Sequence, residues 1–266
     1  MESITSPHNP RVKAALKLRE AKGRAAQGRI IIDGCREVTR ALSAGVQVVE
    51  AFVCPELNHR HDLSAITRLL ATRKVAAFDV SPAVFNRLAF GNRAEGIIAV
   101  AEPPRRTLAD LVLPANPLVA VLEAVEKPGN VGAVLRSADA AGVSAVVVSD
   151  PQTDVYNPNC IRASLGTVFS LPVCTATSDE ALAWLRAQAL TIYAARLDGA
   201  VDYRQTRLAQ RAAVVLGSEV AGLSPRWHAA GVIGIKLPML GVADSLNLSV
   251  TAAVLFYEVL RQRGET

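Results

Sequence analysis

The sequence predicts an α/β protein whose second half holds a parallel sheet, and three observations support this. Short apolar runs alternate with helical patterns along the chain. Residues 117–122 are almost continuously apolar, which is typical of a strand buried on both faces of a parallel sheet. Polar loops that contain glycine follow three apolar runs, at 128–142, 216–224 and 237–250. Ligands bind at such loops in open α/β sheets, so we expect the three to converge on one pocket.

The first part of the chain reads as alternating helices and strands. A turn rich in proline precedes a predicted helix, and Ser81-Pro82 is a typical helix start. A double proline flanked by charges predicts a linker at 102–107, between a domain at 1–101 and a domain at 108–266. We predict helices at 11–22, 36–44 and 63–72, a short helix after 82, and strands at 29–32, 46–53, 75–80 and 96–101.

The second part repeats the order strand, loop, helix, which favours parallel strands. No internal repeat of fixed period is visible in the sequence. We predict strands at 117–122, 145–149, 190–194, 212–216 and 232–237, and helices at 131–141, 179–188 and 245–263.

The composition argues against a membrane protein, a secreted disulfide-rich protein and a metal-binding protein. Half of the residues are apolar and 20% are charged, a balance typical of a globular protein. No apolar run in the sequence is long enough to span a membrane, and the first residues lack an apolar signal core. The four cysteines lie far apart without a CxxC pair, and there are only four histidines. We therefore expect a cytoplasmic protein with reduced cysteines and no metal site.

The positive charge is concentrated near the N-terminus. Residues 1–107 carry 17 Lys and Arg against 10 Asp and Glu, a net charge of +7, whereas 108–266 carry 12 against 14, a net charge of −2. Between residues 11 and 29, Glu20 is the single acidic residue. Such a cluster indicates contact with the phosphates of a nucleic acid, although a solvated helix face is the simpler alternative. The residues predicted to contact RNA are Arg11, Lys13, Lys17, Arg24 and Arg29.

Each glycine-bearing loop has a structural interpretation beside a functional one. The G-x-G-x-x-G fingerprint of a dinucleotide site is absent from the first loop, which argues against a nicotinamide cofactor. Asn130 could serve as a helix cap, and Arg136 could be an ordinary surface arginine. Glu219 follows an apolar strand, so it could cap the next helix, hold Asn130 or bind a cationic ligand. Ser224 stands before a proline, which is typical of a helix start.

Taken together, the loops resemble the SpoU (TrmH-like) family of RNA ribose 2′-O-methyltransferases, in the SPOUT superfamily. The first pattern of that family, N-x-G-x-x-x-R, is matched by Asn130, Gly132 and Arg136. The second, G-S-E-G-x-G-L-S, is matched by residues 217–224, with Val220 in place of a glycine.

The third family pattern is I-P-M-x-G followed by S-L-N-V-S-V. Residues 237–241 and 245–250 match it, with Leu237 and Leu248 in place of β-branched residues. The stretch 157–172 also matches the family. All the patterns occur in the family's order and at its normal spacing.

The resemblance covers roughly residues 108–266, and the N-terminal part more loosely. It implies a deep trefoil knot in the C-terminal domain, a homodimer, and S-adenosylmethionine as the cofactor. Residues 1–101 are similar to the ribosomal-protein-like α/β substrate-binding domain of many members. The implied reaction is methylation of a ribose 2′-hydroxyl in RNA. Because a separate basic domain is present, 23S ribosomal RNA is favoured over transfer RNA.

The resemblance also assigns roles to single residues. Arg136 would contact the 2′-hydroxyl and the adjacent phosphate. Because a guanidinium does not lose its proton, Arg136 would position the hydroxyl and stabilise negative charge rather than act as a base. Arg162 and Ser164 would add an anion site for RNA, which the second subunit could supply. The catalytic set implied by the family is Arg136, Asn130, Glu219, Ser245 and Asn247. The implied cofactor-binding residues are Leu216, Gly217, Glu219, Ile235, Leu237, Met239, Ser245 and Leu246.

Three alternatives stay open at this point. The first is a transfer RNA 2′-O-methyltransferase, since similar catalytic domains serve both RNA classes. The second is an RNA-binding protein that keeps the knot but has lost turnover, against which the matched catalytic set argues. The third is a nicotinamide-dependent oxidoreductase, whose fingerprint is missing.

Overall fold

The computed structural model describes residues 1–58, 63–91, 95–198 and 200–264. The strands are β1 (Glu2–Ile4), β2 (Ile30–Asp33), β3 (Val48–Val53), β4 (Ala76–Val80), β5 (Ile97–Ala101), β6 (Leu118–Glu123), β7 (Ala145–Ser149), β8 (Val173–Ala176), β9 (Thr191–Ala195), β10 (Val201–Asp202), β11 (Ala212–Leu216) and β12 (Val232–Lys236). The helices are α1 (Pro10–Lys17), α2 (Ala21–Gln27), α3 (Cys35–Ser43), α4 (Leu63–Thr72), α5 (Pro82–Leu88), α6 (Pro128–Ala140), α7 (Pro158–Ala163), α8 (Thr167–Ser170), α9 (Ser178–Ala187) and α10 (Leu248–Arg263).

The chain divides into two compact units. One contains Met1–Pro104 and Tyr156–Ser170, and the other contains Arg105–Val155 and Leu171–Thr266. The cut after Pro104 falls inside the predicted linker. By contrast, Tyr156–Ser170 lies within the predicted 108–266 domain but groups with the N-terminal residues.

Local packing explains that grouping. Helix α7 packs against β2, and α8 packs against α3. Arg40 of α3 donates a hydrogen bond from Nη1 to the carbonyl of Leu165 at 2.6 Å. Gly166 has a φ of +83°, and a Cβ there would lie 3.0 Å from the Cα of Glu37, so the backbones approach closely where glycine fits best.

The N-terminal unit is built on a mixed sheet of five strands in the order β1-β4-β3-β5-β2. β1, β4 and β3 run parallel, whereas β5 is antiparallel to both β3 and β2. Apolar side chains from α1 and α5, among them Val12 and Phe85, pack with Phe52 and Phe78 of the sheet. This burial of apolar surface provides the core of the unit.

Two helices replace the single helix predicted at 11–22. The first ends at Lys17 and the second begins at Ala21. The second helix passes so close to the first that a Cβ at Gly23 would lie 1.8 Å from the carbonyl oxygen of Lys17. Arg24 then donates to the carbonyls of Leu18 and Arg19, the two residues that directly follow the first helix.

The C-terminal unit contains a sheet of seven strands, all parallel, in the order β10-β12-β9-β11-β6-β7-β8. This confirms the predicted α/β class with a parallel sheet. The central strands β6, β7 and β11 are buried along their whole length, which explains why their sequences are almost entirely apolar. The trefoil knot stays a prediction.

Helices cover the seven-stranded sheet. The apolar side of α9 packs on the sheet together with Trp227, which is fully buried. Helices α6 and α10 pack against each other. None of the helices in the described residues is long and apolar enough to cross a membrane.

Candidate functional site

The three predicted loops leave the seven-stranded sheet at the same edge. The first follows β6, the second follows β11 and the third follows β12. All three strands are parallel, and β11 pairs directly with β6. Because parallel strands end at one edge of a sheet, polar side chains from distant parts of the sequence meet there.

Glu219 is the centre of this meeting point. Its Oε1 accepts hydrogen bonds from the amide groups of Asn130, at 2.8 Å, and Asn247, at 2.6 Å. Its Oε2 accepts from Nζ of Lys127 at 2.5 Å. The structure therefore confirms that Glu219 holds Asn130. We call Lys127, Asn130, Glu219 and Asn247 the carboxylate cluster.

Lys127 was missed by the sequence analysis. It directly precedes Pro128, the first residue of α6, and its sequence signal was only that it is a cation next to the first motif. Hydrogen bonding to Lys127 is the largest cause that lowers the pKa of Glu219 below its usual range. In turn, Glu219 raises the pKa of Lys127. Glu219 is therefore an ionised acceptor at neutral pH, and its low pKa makes it a weak proton acceptor in catalysis.

The helices that carry the two asparagines fix their directions. Asn247 caps α10, with Oδ1 accepting from the backbone N–H of Ser249 at 2.9 Å, so its amide N–H₂ is left to donate to Glu219. Asn130 is not the cap of α6, because that helix already begins at Pro128 and Lys127 takes the cap position. Its side chain contacts Glu219 instead.

The loop that carries Glu219 is a tight turn over residues 217–222. Ser218 and Gly222 exchange two backbone hydrogen bonds, at 3.1 and 3.0 Å. Gly217 has no room for a side chain, since a Cβ would lie 2.3 Å from the carbonyl carbon of Gly222. Val220 replaces the family's glycine at the exposed tip of this turn, 85% accessible, and does not have a positive φ. The substitution is therefore accommodated without backbone strain.

A cavity of about 490 Å³ lies beside this turn. Its volume is in the range of about 300–1,000 Å³ that is usual for small-molecule sites. All eight predicted cofactor-binding residues line it: Leu216, Gly217, Glu219, Ile235, Leu237, Met239, Ser245 and Leu246.

The loop after β9 contributes a second wall that the sequence analysis missed. Arg196, Leu197 and Asp198 line the cavity there, together with His228. Nη1 of Arg196 donates to Nδ1 of the histidine at 2.6 Å. No sequence motif marks this loop, which reaches the cavity because β9 lies between β11 and β12 in the sheet.

The lining of the cavity fits S-adenosylmethionine. Apolar side chains such as Ile235 and Leu246 can enclose an adenine ring, and the carboxylates of Glu219 and Asp198 can accept hydrogen bonds from hydroxyl or ammonium groups. Nε of Arg196 is buried and makes no hydrogen bond within the described ranges, so a ligand acceptor would satisfy it. Within those same ranges, no three His, Cys, Asp or Glu residues are grouped as a metal site would require.

Arg136 makes no hydrogen bond or ion pair with the carboxylate cluster. It is exposed on α6 and makes no hydrogen bond or ion pair to any residue that the structure describes. Of the predicted catalytic set, Asn130, Glu219 and Asn247 therefore meet without Arg136, while Ser245 lines the cavity. The catalytic role of Arg136 stays a prediction.

The residues predicted to contact RNA differ in exposure. Lys13 and Lys17 are exposed, Arg29 is half-buried, and Arg11 is exposed but paired with Glu50 at 3.0 Å. The prediction for Arg24 is wrong, because its side chain is buried and donates to backbone carbonyls.

The two RNA contacts predicted in the 157–172 stretch also differ. Arg162 is exposed, and its guanidinium lies 5.7 Å from the centre of the Phe90 ring. The prediction for Ser164 is wrong, because it is fully buried, and its hydroxyl donates to the carbonyl of Ile161 and accepts from the N–H of Gly166.

Comparison with known proteins gives consistent results. Residues 117–257 match the model of the SpoU rRNA Methylase family, and residues 9–99 match an MRM3-like substrate binding domain. The chain is 29% identical, over 97% of its own length and 99% of the relative's, to a 23S rRNA (guanosine(2553)-2′-O)-methyltransferase of Bacillus subtilis.

Two solved structures are similar over almost the entire chain. A crystal structure of an RNA 2′-O ribose methyltransferase has a TM-score of 0.84 and 40% identity, covering 98% of this chain and 99% of that one. An AdoMet-bound rRNA methyltransferase from Sinorhizobium meliloti has a TM-score of 0.89 and 26% identity, covering 98% of this chain and 97% of that one.

Proposed function

The chain belongs to the SpoU rRNA Methylase family, and we propose that it methylates a ribose 2′-hydroxyl of 23S ribosomal RNA with S-adenosylmethionine as donor. The observation that carries this proposal is the cavity, which all eight predicted cofactor residues line and which borders the carboxylate cluster. The AdoMet-bound neighbour supports the same cofactor.

The sulfonium of bound S-adenosylmethionine supplies an activated methyl group, so the transfer needs no metal. The protein's task is to hold the cofactor and bring the ribose hydroxyl into line with that methyl. The turn at 217–222 and the residues around Ile235 and Leu246 would hold the adenosine part. The carboxylate of Glu219, kept ionised by Lys127, would orient the polar end.

Arg136 is proposed to act on the RNA side of the reaction. Its guanidinium would donate to the 2′-hydroxyl oxygen and to the neighbouring phosphate, which positions the nucleophile and stabilises the charge that develops on it. It makes no hydrogen bond or ion pair with the described residues, so its donors are available to RNA. A guanidinium keeps its proton, so this role is electrostatic rather than that of a base.

Ribosomal RNA is favoured as the substrate by two independent features. The 9–99 region matches a substrate-binding domain, and several relatives are named 23S rRNA 2′-O-methyltransferases. The excess of seven positive charges over residues 1–107 agrees with binding to a polyanion.

We further propose that the protein is a cytoplasmic homodimer. On α10, Val250 and Tyr257 are exposed and Val254 between them is half-buried, so one face of the helix presents an apolar stripe. A second copy of the chain would cover it. Sedimentation of the wild type and of Tyr257→Glu tests this, since the charge should dissociate a dimer and leave a monomer unchanged.

The substrate proposal is tested by methyl transfer from labelled S-adenosylmethionine to separate fractions of 23S, 16S and transfer RNA. We expect label in the 23S fraction, and the Arg136→Ala variant should transfer none. Label confined to transfer RNA would overturn the choice of substrate. A protein that does not bind S-adenosylmethionine in calorimetry would overturn the proposed reaction itself.

A further inference from the structure

A buried carboxylate lies at the end of β6, outside the carboxylate cluster. Glu123 is the last residue of that strand and is 2% exposed. No Lys or Arg of the described ranges forms an ion pair with it. A buried charge without a countercharge is costly unless hydrogen bonds satisfy it.

Three donors satisfy this carboxylate. Oε2 accepts from the backbone N–H of Ser224 at 2.7 Å, and Oε1 accepts from the hydroxyl of the same serine at 2.7 Å. Oε1 also accepts from the hydroxyl of Ser178 at 2.8 Å. Two of the three hydrogen bonds therefore reach one residue, Ser224, through both its backbone and its side chain.

Ser224 stands where the wall of the cavity ends. Residues 216–223 all line the cavity, and Ser224 follows directly. At the near end, Ser218 and Gly222 are joined by two backbone hydrogen bonds. At the far end, Ser224 is held by its two hydrogen bonds to Glu123 and by the bond that its carbonyl accepts from the N–H of Trp227.

We propose that Glu123 is a positioning residue, which holds the turn at 217–222 in the arrangement that receives S-adenosylmethionine. The turn presents Glu219 to Lys127, Asn130 and Asn247, so its anchoring also sets the carboxylate cluster. This inference rests on the proposed function, because it assigns S-adenosylmethionine to the cavity. A turn that is already held in its binding conformation loses less conformational entropy when S-adenosylmethionine binds, so the affinity is higher.

Two serines allow a matched test of the proposal. Ser224 and Ser178 each donate one hydroxyl to the same oxygen of Glu123, at 2.7 and 2.8 Å. Neither serine lines the cavity, but Ser224 directly follows the cavity-lining residues 216–223, whereas Ser178 lies on α9. If Glu123 only stabilised the fold, removal of either hydroxyl would have the same consequence.

The experiment compares Ser224→Ala with Ser178→Ala in the full-length protein. Calorimetry with S-adenosylmethionine should show a Kd raised roughly tenfold for Ser224→Ala, the effect expected from loss of one hydrogen bond to a charged group, and raised less than twofold for Ser178→Ala. Both variants should lower the melting temperature by similar amounts. The conservative variant Ser224→Thr keeps the hydroxyl and should restore the wild-type Kd.

Hydrogen exchange without cofactor gives a second, independent measurement. The backbone amides of residues 217–224 should exchange faster in Ser224→Ala and Glu123→Gln than in the wild type and Ser178→Ala. Equal changes in both serine variants, in Kd and in exchange, would overturn the positioning role. Failure of the wild type to bind S-adenosylmethionine would instead contradict the proposed function, and the exchange comparison would still decide the role of Glu123.

Discussion

Gly217 is a residue at which a single added atom would disturb the backbone beside the cofactor cavity. A Cβ at this position would lie 2.3 Å from both the carbonyl carbon and oxygen of Gly222, and 2.6 Å from the N of Leu223. Real Cβ contacts are not shorter than 3.0 Å, so the facing backbone must move by about 0.7 Å. Such a shift stretches the paired hydrogen bonds between Ser218 and Gly222.

The Gly217→Ala variant should therefore lose both stability and affinity. Overpacking against backbone costs about 1–3 kcal/mol, and displacement of the turn should weaken binding of S-adenosylmethionine at least about tenfold, which is about 1.4 kcal/mol. Thermal unfolding and calorimetry measure the two effects. Gly129→Ala is the matched control, because a Cβ there meets nothing within 4 Å and alanine is favoured over glycine in a helix.

A Gly217→Ala protein that binds S-adenosylmethionine with wild-type affinity would contradict the steric role of this glycine. Equal losses in the Gly129→Ala control would refute it as well, since that site has open space around it. The comparison separates a steric effect at the turn from a general effect of replacing glycine.

Three further predictions concern charges. Lys127 is the main cause of the lowered pKa of Glu219. The ionised carboxylate therefore stabilises the folded protein fully above its ordinary pKa of 4.5, and this stabilisation is lost as pH falls through the lower pKa of the folded state. In Lys127→Met, S-adenosylmethionine binding should therefore fail at a higher pH than in the wild type, as acid titration of the Kd would show; an unchanged profile contradicts the pairing. Arg136→Ala should abolish methyl transfer with a Kd for S-adenosylmethionine within about twofold of wild type, and residual transfer near the wild-type rate would contradict its role. Lys17→Ala should reduce the slope of log K for RNA binding against log salt concentration by about one, without loss of stability. Arg24→Met removes buried hydrogen bonds and should instead lower the free energy of unfolding by about 1–3 kcal/mol. The reverse result would contradict the assignment of the two residues.

The sequence predicts that Asn130, Glu219 and Asn247 converge, although they are far apart in the chain, because each is marked by its own local motif. Each of Asn130, Glu219 and Asn247 stands in a polar loop after an apolar strand, and parallel strands end at one edge of the sheet. That argument brings the loops together but does not say which atoms meet. The contact of Glu219 with Asn130 was one of three alternatives left open by the sequence. The hydrogen bonds of Glu219 to Asn247 and Lys127 were found only in the structure.

Other features left little or no trace in the sequence. Glu123 closes an apolar strand and looks like an ordinary polar end, although its donors lie more than fifty residues away in sequence. The short elements α7, α8 and β8 were missed because they mix polar and apolar residues over only four to six positions, unlike the almost uniformly apolar β7 and β11. Arg24 and Ser164 were misassigned because sequence alone does not reveal that a polar side chain is buried and paired with backbone.

Segments with a clear apolar pattern were placed well. The helix predicted at 63–72 and the strands predicted at 145–149 and 212–216 coincide with α4, β7 and β11. In contrast, α10 begins at Leu248 rather than at 245, because Asn247 uses its side chain to cap the helix. Boundaries thus depend on single capping contacts, whereas the presence of an element depends on its whole apolar pattern.

The most direct test of the central claim is to find the atom that receives the methyl group. Purified 23S ribosomal RNA is incubated with the protein and S-adenosylmethionine that carries a deuterated methyl, and the digested nucleosides are analysed by mass spectrometry. The account predicts the heavy methyl on the ribose of one kind of nucleoside, and none with Arg136→Ala. A heavy methyl on a base, or no transfer to any RNA by a protein that does not bind the cofactor, would contradict it.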